Sequence, residues 1–220
     1  HGKVTDFNGN PIEGASVELL DAKFEPIYRT ITDRGGSYSL SVGEGVYVAM
    51  YACKDYPKEN FEYWAWNVIA HSDLEINPRI DGLEVYAINA WMPQGAMPSM
   101  QAYFRPMSLM RAKKLSRELG IGFPASKDEL KNLKVIDIAP RLMKDDLEVT
   151  IDAQTVEVFE INKVMETLDG GQSMYAYVIQ TALPKQQTGS DYSRICITLR
   201  DSETEEMGEG CLFWKKPDYV

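Results

Sequence analysis

Histidine is nearly absent from this chain. His1 and His71 are the whole supply in 220 residues, too little for a serine or cysteine nucleophile, which needs a general base placed by the fold. A copper brace built from His1, its amine and His71 is set aside too, because His1 opens a strand. Cysteine is scarce: Cys53, Cys196 and Cys211 have no CxxC spacing, so no thiolate metal site is expected. Three buried free thiols acting as small hydrophobes is the favoured reading, although Cys196 and Cys211 are also placed to face one another across a terminal hairpin. Basic runs are missing beyond Arg111-Ala112-Lys113-Lys114. With a net charge of −10, this argues against nucleic acid or an anionic membrane as partner, since both need a positive footprint. No apolar run is long enough to cross a bilayer, so no membrane insertion is expected. No signal peptide is visible, but the chain opens in mid-strand, as expected if an upstream segment has been trimmed.

What is present is turn chemistry and alternation. Asn8-Gly9-Asn10-Pro11 sets residues tolerant of positive φ before a proline fixed near −65°. Ala15 to Leu20 then reads as a half-buried strand, and Ile27 to Thr32 alternates with period 2. Gly35-Gly36 makes a hairpin-type turn, Tyr38 to Val42 alternates again, and Gly43-Glu44-Gly45 turns into a strand from Val46 to Tyr51. Five short strands in about fifty residues, divided by glycine-rich turns, predict an antiparallel sandwich.

Gly2-Lys3-Val4-Thr5-Asp6, Gly9 to Ala15, Thr32-Asp33 with Gly36-Ser37-Tyr38, and Gly45-Val46-Tyr47 resemble the carboxypeptidase regulatory-like family. The likeness covers residues 1 to about 55. It implies a small prealbumin-like Greek-key sandwich and a non-catalytic accessory domain, usually on secreted or surface proteins, often beside sugar-processing modules. Its motifs are turn motifs, so they speak to fold far more than to activity.

After a polar loop from Lys54 to Asn60 comes the most aromatic stretch, Phe61 to Ala70. Strict alternation there puts Trp64, Trp66 and Val68 on one face. Beyond it, Leu83 to Trp91 and Ser99 to Arg105 alternate well. Ser108 to Leu119 prefers helix and stops at Gly120, and Ser126-Lys127-Asp128-Glu129 is a capping box for a second, short helix through Leu133. Further strands follow at Val135–Ile138, Leu147–Ile151, Thr155–Met165, Met174–Leu183, Ile195–Leu199 and Cys211–Trp214. The fold class is therefore all-β: a prealbumin-like sandwich over 1–79, then an immunoglobulin-like β-sandwich over 80–220 with a helical insertion near 108–133.

The candidate chemistries are few. Trp64, Trp66, Trp91 and Tyr103 could offer flat faces to sugar rings, with Asn67 and Arg105 for hydroxyls; the alternative is that these rings are packing, each burying roughly 150–250 Å². Asp201, Glu203 and Glu205 lie in an acidic run that could hold calcium, a cation that takes several oxygen ligands, although the spacing matches no EF-hand loop; no other cofactor is expected. The sequence reading is a non-catalytic binding or accessory module, extracellular or at the cell surface, with a glycan or a protein as ligand. Its rivals are a structural spacer and a metal-assisted or carboxylate-based hydrolase. Buried tryptophans favour the spacer, exposed ones the binding module, and converging carboxylates the hydrolase.

Overall fold

In a computed structural model, described here for residues 1–168, 170–186 and 188–215, the chain is all-β with a short helical insertion. Fifteen strands follow in order: β1 (Gly2–Lys3), β2 (Ser16–Leu20), β3 (Pro26–Ile31), β4 (Ser37–Tyr38), β5 (Gly45–Cys53), β6 (Tyr63–Ala70), β7 (Leu83–Trp91), β8 (Met100–Ser108), β9 (Val135–Ile136), β10 (Leu147–Ile151), β11 (Gln154–Val156), β12 (Val158–Thr167), β13 (Ser173–Thr181), β14 (Tyr192–Arg200) and β15 (Met207–Lys215). Helices α1 (Leu109–Leu119) and α2 (Lys127–Leu130) come between β8 and β9. Neither is long and apolar enough to cross a membrane.

One sheet of eight strands runs β11-β10-β14-β15-β6-β5-β2-β3, and a second of five is built on β12-β13-β8-β7. The two modules expected from sequence share the larger sheet. Its joint is a parallel pairing of β15 with β6, which sets Gly210, Cys211 and Leu212 beside Trp64, Ala65 and Trp66.

The larger sheet is buried on both faces. On one side Val149, Ile195, Ile197 and Leu212 pack against Val85, Ala102, Phe104 and Ile179 of the smaller sheet, the aligned face-to-face layering of an immunoglobulin-like sandwich. On the other, Val17, Leu19, Met50, Ala65 and Phe213 pack with Val4, just after β1, and Tyr38 of β4, closing the first sandwich. Glycine permits the closest approach between sheets. A Cβ at Gly208 would lie 2.4 Å from the Leu83 carbonyl oxygen, and one at Gly210 would lie 2.6 Å from that of Val85.

Two local expectations are corrected. Trp64 and Trp66 belong to one core and Val68 to the other, because Asn67 takes φ 53° and rotates the strand between them, as an irregular residue in a ladder does. Cys196 and Cys211, paired across β14 and β15 with Cα atoms 4.2 Å apart, form a disulfide rather than two free thiols; only Cys53 is free. Such close opposition is that of a non-hydrogen-bonded antiparallel pair.

The helix caps fall where read, although α2 ends at Leu130 and not at Leu133. Ser108 caps α1 and accepts from the Arg111 N–H, while Gly120 ends it in the left-handed region. Ser126 and Glu129 cap each other at the start of α2.

Candidate functional site

The aromatic residues singled out above meet inside the protein. Trp64 and Trp66 stack at 5.2 Å with planes 15° apart, and Tyr86 meets both edge-on at 5.1 Å. Tyr51 leans on Trp64 and Phe24 closes over Trp66. Both tryptophans are buried, so neither face is open to a sugar. Arg105 lies over the Tyr86 ring at 5.2 Å and forks onto Glu166, with bonds of 2.8 and 2.9 Å. Tyr103 donates its hydroxyl to the same carboxylate at 2.5 Å. Trp64, Trp66, Tyr103 and Arg105 are thus one contiguous cluster, but it is packing that runs from the core to the outer face of the smaller sheet. Asn67 is exposed at its positive-φ position, and Trp91, 41% exposed, stands apart at the end of β7.

The electrostatics follow from those contacts. Burial works to raise the Glu166 pKa, but the bonds from Arg105 and Tyr103 outweigh it and hold the carboxyl below its ordinary value. Burial and then the Glu166 contact push the Tyr103 phenol up to about 12. The pair is a fixed charge-assisted tie, not a proton shuttle.

Sequence reasoning passed over two acids beside this cluster. Glu84 is 3% exposed and accepts from the Trp64 indole N–H at 2.9 Å. Burial, and next the charge of Glu62, raise its pKa well above the ordinary carboxylate value. Burial likewise lifts Glu62 to about 7, with the Trp64 contact opposing and Glu18 adding to the rise. Cys53 nearby is pushed up to about 12, mainly by burial, then by Glu62 and Glu18. Paired carboxyls with raised pKa values are the material of acid catalysis. Here Glu84 is sealed from solvent and bonded to a core indole, so nothing reaches it. Alternation signalled only Glu62, which shares the parity of Trp64 and Trp66; Glu84 lies between the core residues Leu83 and Val85, where period 2 points it away from that core.

The acidic run resolves differently from a cation site. Asp201, fully buried, receives Arg111 through Nε at 2.9 Å and Nη2 at 3.2 Å. Glu203 receives the same guanidinium at 2.7 Å, and Glu205 pairs with Arg200. Glu206, from the same loop, accepts from the Met110 N–H at 2.9 Å and from the Ser108 hydroxyl. The β14–β15 loop is therefore the anionic cap of α1, placed where the helix dipole and its free N–H groups favour negative charge. Its three proposed calcium ligands face arginines instead of one another, and the described residues hold no group of three or more His, Cys, Asp or Glu that could take a metal.

A cavity of about 440 Å³ lies on the other side of the larger sheet, lined by His1, Tyr38, Glu44, Met50, His71 and Asp73 among others. It gathers both histidines, but the amino group of His1 is occupied, donating to the Leu74 carbonyl at 3.0 Å.

No family model matches the chain, and no curated protein matches it. Among solved structures, a DUF3823 family protein from Bacteroides ovatus superimposes over 97% of each chain at 11% identity, with a TM-score of 0.28. BcpA, the major pilin subunit of Bacillus cereus, does so over 96% of this chain and 67% of its own at 11% identity and a TM-score of 0.28. The major pilin SpaD of Corynebacterium diphtheriae covers 94% of this chain and 59% of its own at 10% identity and a TM-score of 0.26. Superpositions this loose assign neither a family nor a role.

Proposed function

We propose that the chain is a non-catalytic accessory module, a structural spacer, of a secreted or surface protein. One observation carries this reading: the side chains that could act as reagents serve as ties between distant elements. Arg111 joins α1 to the β14–β15 loop. Arg105 joins β8 to β12 through Glu166. Arg79, on the segment leading into β7, reaches Glu209 and Thr198 on β15 and β14. Trp64 and Trp66, two of the tryptophans offered as a sugar platform, fill the core. The Cys196–Cys211 disulfide supports an oxidising compartment, where such bonds persist. The likeness of residues 1 to about 55 to carboxypeptidase regulatory-like domains supports an accessory role in the same setting.

The test is a glycan array together with a panel of chromogenic glycosides and esters, run on the purified chain. The expected outcome is no saturable glycan retention and no turnover. Retention lost in Trp91→Ala would restore a binding role, and turnover lost in Glu84→Gln would restore the hydrolase.

A further inference from the structure

Residues 87–104 contain no charged side chain, in a chain where a quarter of residues are charged. They form the distal half of the β7–β8 ribbon and its connecting loop. Burial explains the inward positions, such as Ile88, Met100 and Phe104. It does not explain the tip, where Trp91, Met92 and Met97 are exposed, Met97 by 58%. Neighbouring exposed aromatic and methionine side chains free of charge are the composition of a contact surface, not of a solvated loop.

At the opposite end of the same ribbon is a depression of the matching kind. A cavity of about 160 Å³ is lined by Phe61, Ala112, Leu115, Phe123, Leu130 and Ile136 among others. Helix α1 forms one wall, the residue 56–61 loop another, and the 123–138 segment a third. The volume falls below the roughly 300–1,000 Å³ of small-molecule sites and is close to the roughly 150 Å³ that holds one benzene ring. It suits a single side chain. The helical insertion that walls the cavity is basic: residues 108–134 carry seven Lys or Arg against three Asp or Glu, and with Arg111 set aside as the partner of Asp201 and Glu203 six remain, although the chain as a whole stands at −10. A second copy brings a net negative body to a positive rim and an uncharged apolar tip to an apolar hole.

We propose that this protein associates head to tail with itself, the β7–β8 tip of one copy seating Met97 or Trp91 in the cavity beside α1 of the next. The two surfaces differ and lie about 27 Å apart along β8, at about 3.4 Å per residue over Met100–Ser108. A contact between unlike patches at opposite ends does not close on itself as a twofold dimer does; it repeats into a row. The contact is weak, because one or two inserted side chains make a small interface. It would exist whatever the module's wider role.

Sedimentation of the full chain from micromolar to near-millimolar concentration tests this. The average mass of the wild type should climb past that of a dimer. Met97→Asp removes the tip and Ala112→Phe fills the cavity; each should weaken association about tenfold or more while melting like the wild type. Ala125→Arg serves as the cavity variant if Ala112→Phe does not fold. The decisive sample is an equimolar mixture of tip and cavity variants. One supplies a sound cavity and the other a sound tip, so the mixture should form dimers and nothing longer. A wild type that stays monomeric throughout overturns the proposal, as does a mixture of folded variants that fails to pair. Loss of association in the tip variant alone would mean tip-to-tip contact and sink it equally. So would a monomeric wild type that floats with phosphatidylcholine vesicles and a Met97→Asp variant that does not, since lipid would then be the occupant.

Discussion

Arg111 holds the seam between helix and sheet. Its guanidinium answers the fully buried Asp201 carboxylate, which also accepts the Glu203 N–H at 3.0 Å, and the same group takes Glu203 at the surface. An ion pair of this kind adds little over a well-packed apolar substitute, but removing one partner strands a charge in the interior. Arg111→Ala should therefore cost about 3–5 kcal/mol, read as a fall in the urea midpoint at unchanged slope. The surface pair Arg200–Glu205, both members well exposed, should register close to nothing by the same measurement. None of this partnering was legible in the sequence. A run of acids reads as a solvated loop or a cation site until the fold brings an arginine from ninety residues away.

At the scale of elements, alternation located strands and their ends, even in β7, where a register shift against β8 falls between Tyr86 and Asn89. β7 spans Leu83–Trp91, as the pattern has it, and the caps of α1 and α2 follow from Ser108, Gly120, Ser126 and Glu129. It failed at Asn67, because one residue with φ 53° reverses which face follows while the pairing with β5 stays in register, and a period-2 count cannot see such a backbone rotation. The β6–β7 crossing also carries a pH dependence. An unfolded Glu62 titrates near 4.5, a folded one near 7. Between these values the folded protein keeps a proton that the unfolded chain has released. Stability from this group is therefore complete below about pH 4.5 and is lost as pH rises through about 7. Glu84 acts in the same direction, its carboxyl being raised as well. Melting temperatures from about pH 4 to about pH 9 should decline less steeply for Glu62→Gln than for the wild type, leaving the variant the more stable at the alkaline end. A steeper decline would mean that Glu62 is held ionised in the folded protein.

The whole molecule is one interlocked body in which chain order and spatial order disagree. Sequence reading draws a boundary between residues 79 and 80, and turn spacing gives it no reason to do otherwise. A parallel pairing between β6 and β15 leaves no local mark, since neither strand's neighbours in sequence take part. Phe213 and Cys211 lie in the core of the first sandwich, so that core is incomplete without the last described strand. Residues 1–79 expressed alone should lack cooperative unfolding and show narrow amide dispersion by NMR, whereas the full chain should melt in one transition. An independently folded fragment would show instead that β15 only decorates a finished module.

The position of β15 also sets a clock on biosynthesis. From the moment the ribosome finishes Ala70 until it reaches Met207, β6 waits without its second neighbour, roughly 7–27 seconds at about 5–20 residues per second. Throughout that interval the eight-stranded sheet stays unclosed, although every strand of the smaller sheet has been made by Thr181. A sheet closed this late keeps the first sandwich incomplete for as long as β15 is missing, with the β6 edge open to any other strand that reaches it.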